Sequence, residues 1–258
     1  MESLLVIYLP IILDNLNVYY DSLHVIKGVS FNLDDSIAIL GPSGSGKTTI
    51  GKAILKILPP ISRVSGKIFI DDVNVIESDI KHLRWKVISY IPQGGSYTYL
   101  NPVRKITDHI KLICRANNIS VNVDELKYLM DNLGLSQDLL NRYPYQLSGG
   151  EIQRILILIA LLPKPKYIIA DEPTSSLDVI SQLRVLRVLN EYKKKFNSRI
   201  LLITHDLLVA YKMSKEVIII SQGKIVESGN INEIIENPKN KLTKKIVEGS
   251  MIKRRDQL

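Results

Sequence analysis

Eight residues near the start of the chain have the types and spacing of a phosphate-binding loop. Residues 41–48 read GPSGSGKT, which fits the pattern G-x-x-x-x-G-K-[ST]. Glycines let the backbone curl so that several N–H groups point at one anion, and the following helix N-terminus adds a favourable dipole. Lys47 would reach the β- and γ-phosphates, and the Thr48 hydroxyl would hold Mg²⁺. The pattern predicts a nucleoside triphosphate site made of Gly41, Pro42, Ser43, Gly44, Ser45, Gly46, Lys47, Thr48 and Thr49.

Two adjacent carboxylates follow an apolar run later in the chain. Asp171 and Glu172 come directly after YIIA at residues 167–170. A buried strand that ends here would project Asp171 towards the phosphate loop, where it can hold Mg²⁺ directly or through water. Glu172 would then be placed to polarise an attacking water as a general base. Together with Lys47, these acids favour hydrolysis over nucleotide binding alone.

A second glycine-rich motif precedes this acidic pair. Residues 147–151 read LSGGE and open an apolar helix predicted over 152–162, so Ser148 and the glycine N–H groups form another anion site. The motif resembles the LSGGQ signature of ATP-binding cassette (ABC) ATPases, with Glu151 in the last place. In that family, the signature of one subunit closes over the γ-phosphate held by the other. The resemblance implies this role for Leu147, Ser148, Gly149, Gly150 and Glu151, because main-chain donors and Ser148 make the phosphate contact.

Other positions match the same family. The resemblance implies that Gln93 contacts Mg²⁺ and the attacking water, that Asp178 belongs to the D-loop, and that His205 contacts the γ-phosphate. Tyr20 matches the aromatic residue that stacks on adenine, although Tyr19 is a close rival. The implied cofactors are ATP and Mg²⁺. The implied metal-site residues are Thr48, Gln93 and Asp171, and the implied catalytic residues are Glu172, His205 and Gln93.

Shorter patterns resemble one branch of this family, the ATPases of peptide and nickel importers. They include Leu100-Asn101-Pro102 after Gln93 and YPYQ at residues 143–146 before the signature. Many relatives carry a cysteine-rich C-terminal extension that binds an iron–sulfur cluster. Cys114 is the only cysteine in this sequence, so we expect no such cluster. The resemblance implies an ATP-hydrolysing subunit that powers uptake of oligopeptides, dipeptides or a related solute such as nickel.

The expected partners follow from the same resemblance. They are a second ABC ATPase subunit, identical or paralogous, two transmembrane permease subunits and, indirectly, a solute-binding protein. We expect residues 93–110 to contact the permease, because Tyr97, Tyr99, Leu100 and Val103 are unusual in a solvated loop. The alternative is that these side chains pack into the core of the helical region.

Two other functions fit an ABC ATPase. A non-transport ATPase would act in DNA repair, translation or cofactor assembly, but translation-type members usually carry two cassettes and repair-type members carry long coiled-coil insertions. This sequence has neither feature. An exporter ATPase is the second alternative, and Leu100-Asn101-Pro102 argues against it.

Hydrophobic periodicity predicts the elements that position these residues. The predicted β segments are a β-rich stretch over 11–40, a hairpin over 66–76, short strands over 87–91, 166–170 and 200–204, and a last hairpin over 217–226. The predicted helices lie over 49–58, within 103–160 and over 179–196. These elements predict an α/β fold with a helical insertion, and the resemblance implies a P-loop NTPase (RecA-like) core, an N-terminal antiparallel β-subdomain and an inserted ABC α-helical subdomain. We place the core and β-subdomain at 1–93 and 162–235, the helical signature subdomain at 94–161 and a basic C-terminal tail at 236–258.

Charge and hydropathy limit the possible cellular locations and partners of the protein. The net charge is +8, and residues 239–258 hold seven basic residues against Glu248 and Asp256. We expect this tail to be solvated and frayed, with contact to anionic lipid as the alternative. No apolar run reaches the roughly 20 residues that span a bilayer. We therefore expect a peripheral protein on the cytoplasmic face of the cell membrane, with no nucleic-acid partner.

Overall fold

Two β-sheets organise the chain, for which a computed structural model describes residues 10–94, 97–120 and 122–255. The strands are β1 (Ile11–Tyr20), β2 (Leu23–Leu33), β3 (Ile37–Leu40), β4 (Ser62–Ile70), β5 (Val73–Asn74), β6 (Ile88–Ile91), β7 (Tyr167–Asp171), β8 (Arg199–Thr204), β9 (Glu216–Ser221) and β10 (Lys224–Asn230). The first sheet is antiparallel, with the order β2-β1-β4-β5. The second has the order β10-β9-β3-β8-β7-β6 and is parallel except for β10.

Eight α-helices surround the six-stranded sheet. They are α1 (Lys47–Ile54), α2 (Ile106–Ala116), α3 (Val123–Leu133), α4 (Gly149–Leu161), α5 (Val179–Phe196), α6 (Leu207–Met213), α7 (Ile231–Glu236) and α8 (Lys241–Arg255), as far as the described residues extend. The predicted α/β class with an N-terminal antiparallel sheet is confirmed. Among the described residues, no helix is both long enough and apolar enough to cross a membrane.

The parallel strands are mainly apolar because both of their faces are covered. Successive residues of a strand point to opposite faces, and β3 shows the consequence. Ile37 and Ile39 join a cluster with α1 and the antiparallel sheet, whereas Ala38 and Leu40 join a second cluster with α2 to α8. The six-stranded sheet is therefore the middle layer of the molecule. The predicted division at residues 93/94 and 161/162 stays a prediction.

The order of the parallel strands explains where the predicted site residues meet. The phosphate loop follows β3, His205 follows β8, Asp171 ends β7, and Gln93 follows β6. These four strands are consecutive neighbours, in the order β3-β8-β7-β6. Because carboxyl ends of parallel strands lie at one edge of a sheet, the four positions share that edge.

Helix α1 ends earlier than the sequence suggests. We expected it to reach residue 58, but it stops at Ile54, and Lys56 adopts a left-handed conformation with φ 51°. The Arg84 guanidinium donates to the Leu55 carbonyl at 3.0 Å and to the Lys56 carbonyl at 2.8 Å. A distant side chain thus satisfies carbonyls that a longer helix would have bonded.

The basic C-terminal segment is not a solvated tail. Residues 241–255 form α8, which packs against α6 and buries Thr243 and Val247. The expectation of a frayed end was therefore wrong for this part of the chain. Its apolar residues recur at helical spacing, as in Leu242 and Ile246, whereas Lys241, Lys244 and Lys245 are exposed.

Candidate functional site

The phosphate loop leads directly into α1. Gly46 is the residue before the helix and has φ 103°, a conformation that favours glycine. A Cβ on Gly41 would lie 2.2 Å from the Ile220 carbonyl oxygen, so the loop approaches β9 too closely for any side chain at that position. Thr48 and Thr49 lie in the first turn of α1, both partly buried. The helix N-terminus therefore faces the concave side of the loop, as anion binding requires.

Lys47 folds back over this loop. Its ammonium donates to the carbonyl oxygens of Gly41 at 2.8 Å and Pro42 at 2.9 Å. Burial lowers the pKa of Lys47, while the negative charges of Glu172 and Asp171 act in the opposite direction. The lysine thus lies between the loop and the acidic pair, where a phosphate group would meet it.

Asp171 is almost fully buried at the end of β7. The Tyr90 hydroxyl donates to its Oδ2 at 3.1 Å, whereas Oδ1 has no hydrogen-bond partner among the described residues. Burial raises the pKa of Asp171, and the nearby hydroxyl groups of Thr48 and Tyr90 lower it. A buried carboxylate oxygen without a partner is costly, and a cation beside it would remove that cost.

The residues around Asp171 fit magnesium better than a transition metal. Within the described residues there is no group of three or more His, Cys, Asp or Glu side chains that could hold a metal ion. Mg²⁺ is usually held by one or two carboxylates together with substrate phosphates and water. Asp171 and the Thr48 hydroxyl supply hard oxygen atoms of this kind, and the exposed Gln93 follows the neighbouring strand β6.

Glu172 and His205 form a pair beside this carboxylate. Glu172 Oε1 lies 2.7 Å from His205 Nδ1, and the Glu172 N–H donates to the Ile203 carbonyl at 2.8 Å. Glu172 has φ 47°, an uncommon conformation for a residue with a side chain, and it is buried. Strained backbone of this sort concentrates at functional sites. In this conformation the Glu172 carboxylate lies against His205.

The signature residues cap helix α4. Ser148 precedes the helix, and its N–H and hydroxyl both donate to Glu151 Oε2, at 2.8 and 2.9 Å. The Glu151 N–H donates back to Ser148 Oγ at 3.2 Å, which completes a capping box. The resemblance to LSGGQ suggests only a passive replacement of glutamine by Glu151. The Ser-x-x-Glu spacing was the signal that could have revealed its role in orienting Ser148.

Gln153 is a buried residue whose role no sequence motif indicated. Its amide donates to the Pro92 carbonyl at 3.1 Å, directly before Gln93. The bond ties the first turns of α4 to the end of β6. Asp178, by contrast, caps α5 by accepting from the Ser181 N–H at 2.9 Å.

Two groups of predicted residues lie at the N-termini of different helices, α1 and α4. Residues 41–49 lie close to Asp171 and Glu172, but no described hydrogen bond or ion pair joins them to residues 147–151. The chain therefore has two separate helix N-terminal regions of the kind that binds anions.

The two candidate adenine-stacking residues differ in their surroundings. Tyr19 stacks on His24 with ring centroids 4.0 Å apart, and the Arg63 guanidinium lies 5.7 Å from the Tyr19 ring centroid. Tyr19 is thus occupied by residues of both neighbouring strands. Tyr20 is partly buried and has no ring contact among the described residues. These contacts favour Tyr20 as the stacking residue.

The residues expected to contact a permease divide into exposed and buried ones. Val103 is 79% exposed and Tyr99 is 48% exposed, whereas Leu100 lies in the core beside the helices. The expectation was therefore wrong for Leu100, which packs internally. The Tyr97 side chain lies outside the described part of the structure.

Comparisons with known proteins agree with this arrangement. The family model described as "ABC transporter" matches residues 26–175. The chain is 37% identical over 236 residues to the dipeptide transport ATP-binding protein DppD of Caldanaerobacter subterraneus subsp. tengcongensis, covering 87% of this chain and 72% of that protein. It is 32% identical over 220 residues to the nickel import ATP-binding protein NikD of Brucella suis, covering 83% and 82%.

Solved structures show the same fold. A dimeric, post-hydrolysis structure of the ATP-binding cassette MJ0796 bound to ADP and Pi superposes with a TM-score of 0.76 at 24% identity. The superposition covers 86% of this chain and 98% of that one. With the phosphate loop, the acidic pair and the capped signature helix, these matches show that the chain belongs to the ABC transporter family.

Proposed function

We propose that this protein is the ATP-hydrolysing subunit of an ABC importer for oligopeptides, dipeptides or a related small solute such as nickel. The observation that carries the proposal is the meeting of Lys47, Asp171 and the Glu172–His205 pair at one edge of the parallel sheet. A cation for phosphate, a carboxylate for metal and a general base are the groups that ATP hydrolysis needs. The names of the relatives support peptides or nickel as the solute.

In the proposed mechanism, the loop N–H groups and Lys47 bind the β- and γ-phosphates, and Tyr20 stacks on adenine. Asp171, Thr48 and Gln93 would hold Mg²⁺, which supplies charge neutralisation of the phosphates. Glu172 takes a proton from the attacking water, because its carboxylate is held beside the phosphate loop. His205 orients that carboxylate through the 2.7 Å contact and then contacts the γ-phosphate.

The presence of anion-binding regions at the N-termini of two different helices supports a site shared between two subunits. We propose that Ser148 and the glycine N–H groups of residues 149–150 close over ATP held by the loop of a second ABC ATPase subunit, identical or paralogous. The Asp178 turn would lie at the same interface. Two permease subunits would contact the exposed part of residues 93–110, and a solute-binding protein would act through them. The protein would then lie on the cytoplasmic face of the membrane.

Glu172→Gln tests this function, with Glu216→Gln as the control because Glu216 is an exposed residue at the start of β9. We expect the Glu172 variant to hydrolyse ATP about 10²–10⁴-fold more slowly, since an amide cannot accept the proton. ATP affinity should persist, and an ATP-dependent dimer should accumulate in light scattering. Hydrolysis at the wild-type rate would remove Glu172 as the base.

A further inference from the structure

Tyr90 makes a contact that the proposed mechanism does not use. It lies on β6 and pairs with Ile169 of β7, two residues before Asp171. Residues two apart on a strand face the same side, so the Tyr90 ring lies on the face from which the Asp171 carboxylate projects. The phenol hydroxyl donates to Asp171 Oδ2 at 3.1 Å, while Oδ1 has no partner among the described residues.

This hydrogen bond gives the two carboxylate oxygens of Asp171 different roles. Oδ2 is held by the phenol, which fixes the orientation of the carboxylate plane. Oδ1 is left as the oxygen with an unused lone pair inside a buried site. Groups that hold a metal ligand in place in this way typically change metal affinity 10- to 100-fold when they are removed.

We infer that Tyr90 is a positioning residue for magnesium, because its hydroxyl holds Asp171 Oδ2 and so presents Oδ1 to the metal. The inference rests on the proposed function, in which Asp171 is a metal ligand. Tyr90 does not touch the nucleotide in this scheme, and it acts only through Asp171.

A tyrosine phenol is protonated at neutral pH and can therefore act as a hydrogen-bond donor. Burial raises the pKa of Tyr90 far above its usual range, and the charge of Asp171 raises it further. A second phenol, Tyr99, lies in the turn that follows Gln93. Burial and the charge of Asp171 also raise the Tyr99 pKa.

The competing explanation is that the hydroxyl merely satisfies a buried oxygen and stabilises the fold. The chain offers a matched control for this explanation. Tyr167 is a buried tyrosine on the adjacent strand β7, and its hydroxyl donates to Asp71 at 2.6 Å. Asp71 belongs to the β4–β5 turn, and Tyr167 starts β7 whereas Asp171 ends it. Tyr167→Phe therefore removes a comparable bond away from the proposed metal.

The experiment measures binding of a fluorescent ATP analogue to the full chain, first with EDTA and then across a Mg²⁺ titration. For Tyr90→Phe we expect unchanged affinity in EDTA and a roughly tenfold higher Mg²⁺ concentration at half-saturation. Tyr167→Phe should match the wild type in both measurements. Tyr90→Met should behave as Tyr90→Phe, because the lost group is the hydroxyl and not the ring. Thermal unfolding of each variant checks that the chain is folded.

Three results would overturn the inference. A Tyr90→Phe protein with wild-type Mg²⁺ dependence would show that the hydroxyl does not position Asp171. Equal losses of affinity with EDTA and with Mg²⁺ would indicate a structural role alone. A wild-type protein that binds ATP equally well with and without Mg²⁺ would refute the metal site of the proposed function itself, which separates that failure from the other two.

Discussion

Replacing Glu151 with glutamine tests the role of the acid at the end of the signature motif. The carboxylate now accepts two hydrogen bonds from Ser148, at 2.8 and 2.9 Å, in the first turn of α4. Hydrogen bonds to a charged group are worth about 1 kcal/mol more than neutral ones, and solvent exposure reduces that difference. The helix dipole adds about 0.3–1 kcal/mol for a negative charge at this position.

These contributions predict a loss of about 1–2 kcal/mol of unfolding free energy for Glu151→Gln. A loss of that size lowers the melting temperature by roughly 2–8 °C in a chain of this length. The matched control is Glu233→Gln, because Glu233 lies at the equivalent first-turn position of α7 and makes no side-chain hydrogen bond among the described contacts. Glu233→Gln should lower the free energy of unfolding only by the contribution of the helix dipole.

The same variant should act in the opposite direction on nucleotide-dependent pairing. In the proposed dimer the Ser148 hydroxyl must leave Glu151 to meet the γ-phosphate, and glutamine removes a negative charge from that position. We expect ATP-dependent dimerisation to strengthen by up to about tenfold, since about 1.4 kcal/mol corresponds to a factor of ten. The assay is light scattering with ATP in the Glu172→Gln background. Weaker pairing, or equal melting shifts in both variants, would refute this reasoning.

Three further predictions concern other parts of the molecule. Lys47→Ala should weaken ATP binding at least 100-fold in a nucleotide titration, because the phosphates lose a charge-assisted bond, whereas Lys52→Ala in the last turn of α1 should not. Val103→Asp should uncouple solute transport from ATP hydrolysis in a reconstituted importer without changing the melting temperature, since that side chain is exposed; coupled transport would exclude this contact. Val247→Ala should lower the free energy of unfolding by about 1–2 kcal/mol in thermal unfolding, because Val247 is buried where α8 packs. An unchanged free energy would indicate that this segment is a solvated tail.

Local sequence signals were sufficient to predict an element wherever the residues that begin and end it lie next to it in the chain. Helix α5 begins and ends as predicted, over 179–196, because Asp178 caps its first turn and Asn197 adopts the left-handed conformation that ends it. The phosphate loop and the acidic pair could also be predicted from the sequence, since each follows a short apolar strand. The parallel order of those strands then brings the two motifs to one edge.

Features that depend on residues far apart in the sequence could not be predicted in this way. The early end of α1 is stabilised by Arg84, which is 29 residues from Leu55 along the chain. The link between Tyr90 and Asp171 spans 81 residues and exists only because β6 and β7 are neighbours. Leu100 looked like a surface residue in a loop, but the fold buries it. In each case the deciding interaction is tertiary, and no local pattern encodes it.

The bond between Gln153 and the Pro92 carbonyl has a consequence for communication between two nucleotides. It fixes the start of α4 to the backbone directly before Gln93, so a displacement of Gln93 is shared by the signature residues. In the proposed dimer, Gln93 responds to ATP on its own chain, while the signature meets ATP on the partner. Occupancy of one site would then alter affinity at the other, and ATP saturation should have a Hill coefficient above one. Gln153→Leu should bring that coefficient towards one.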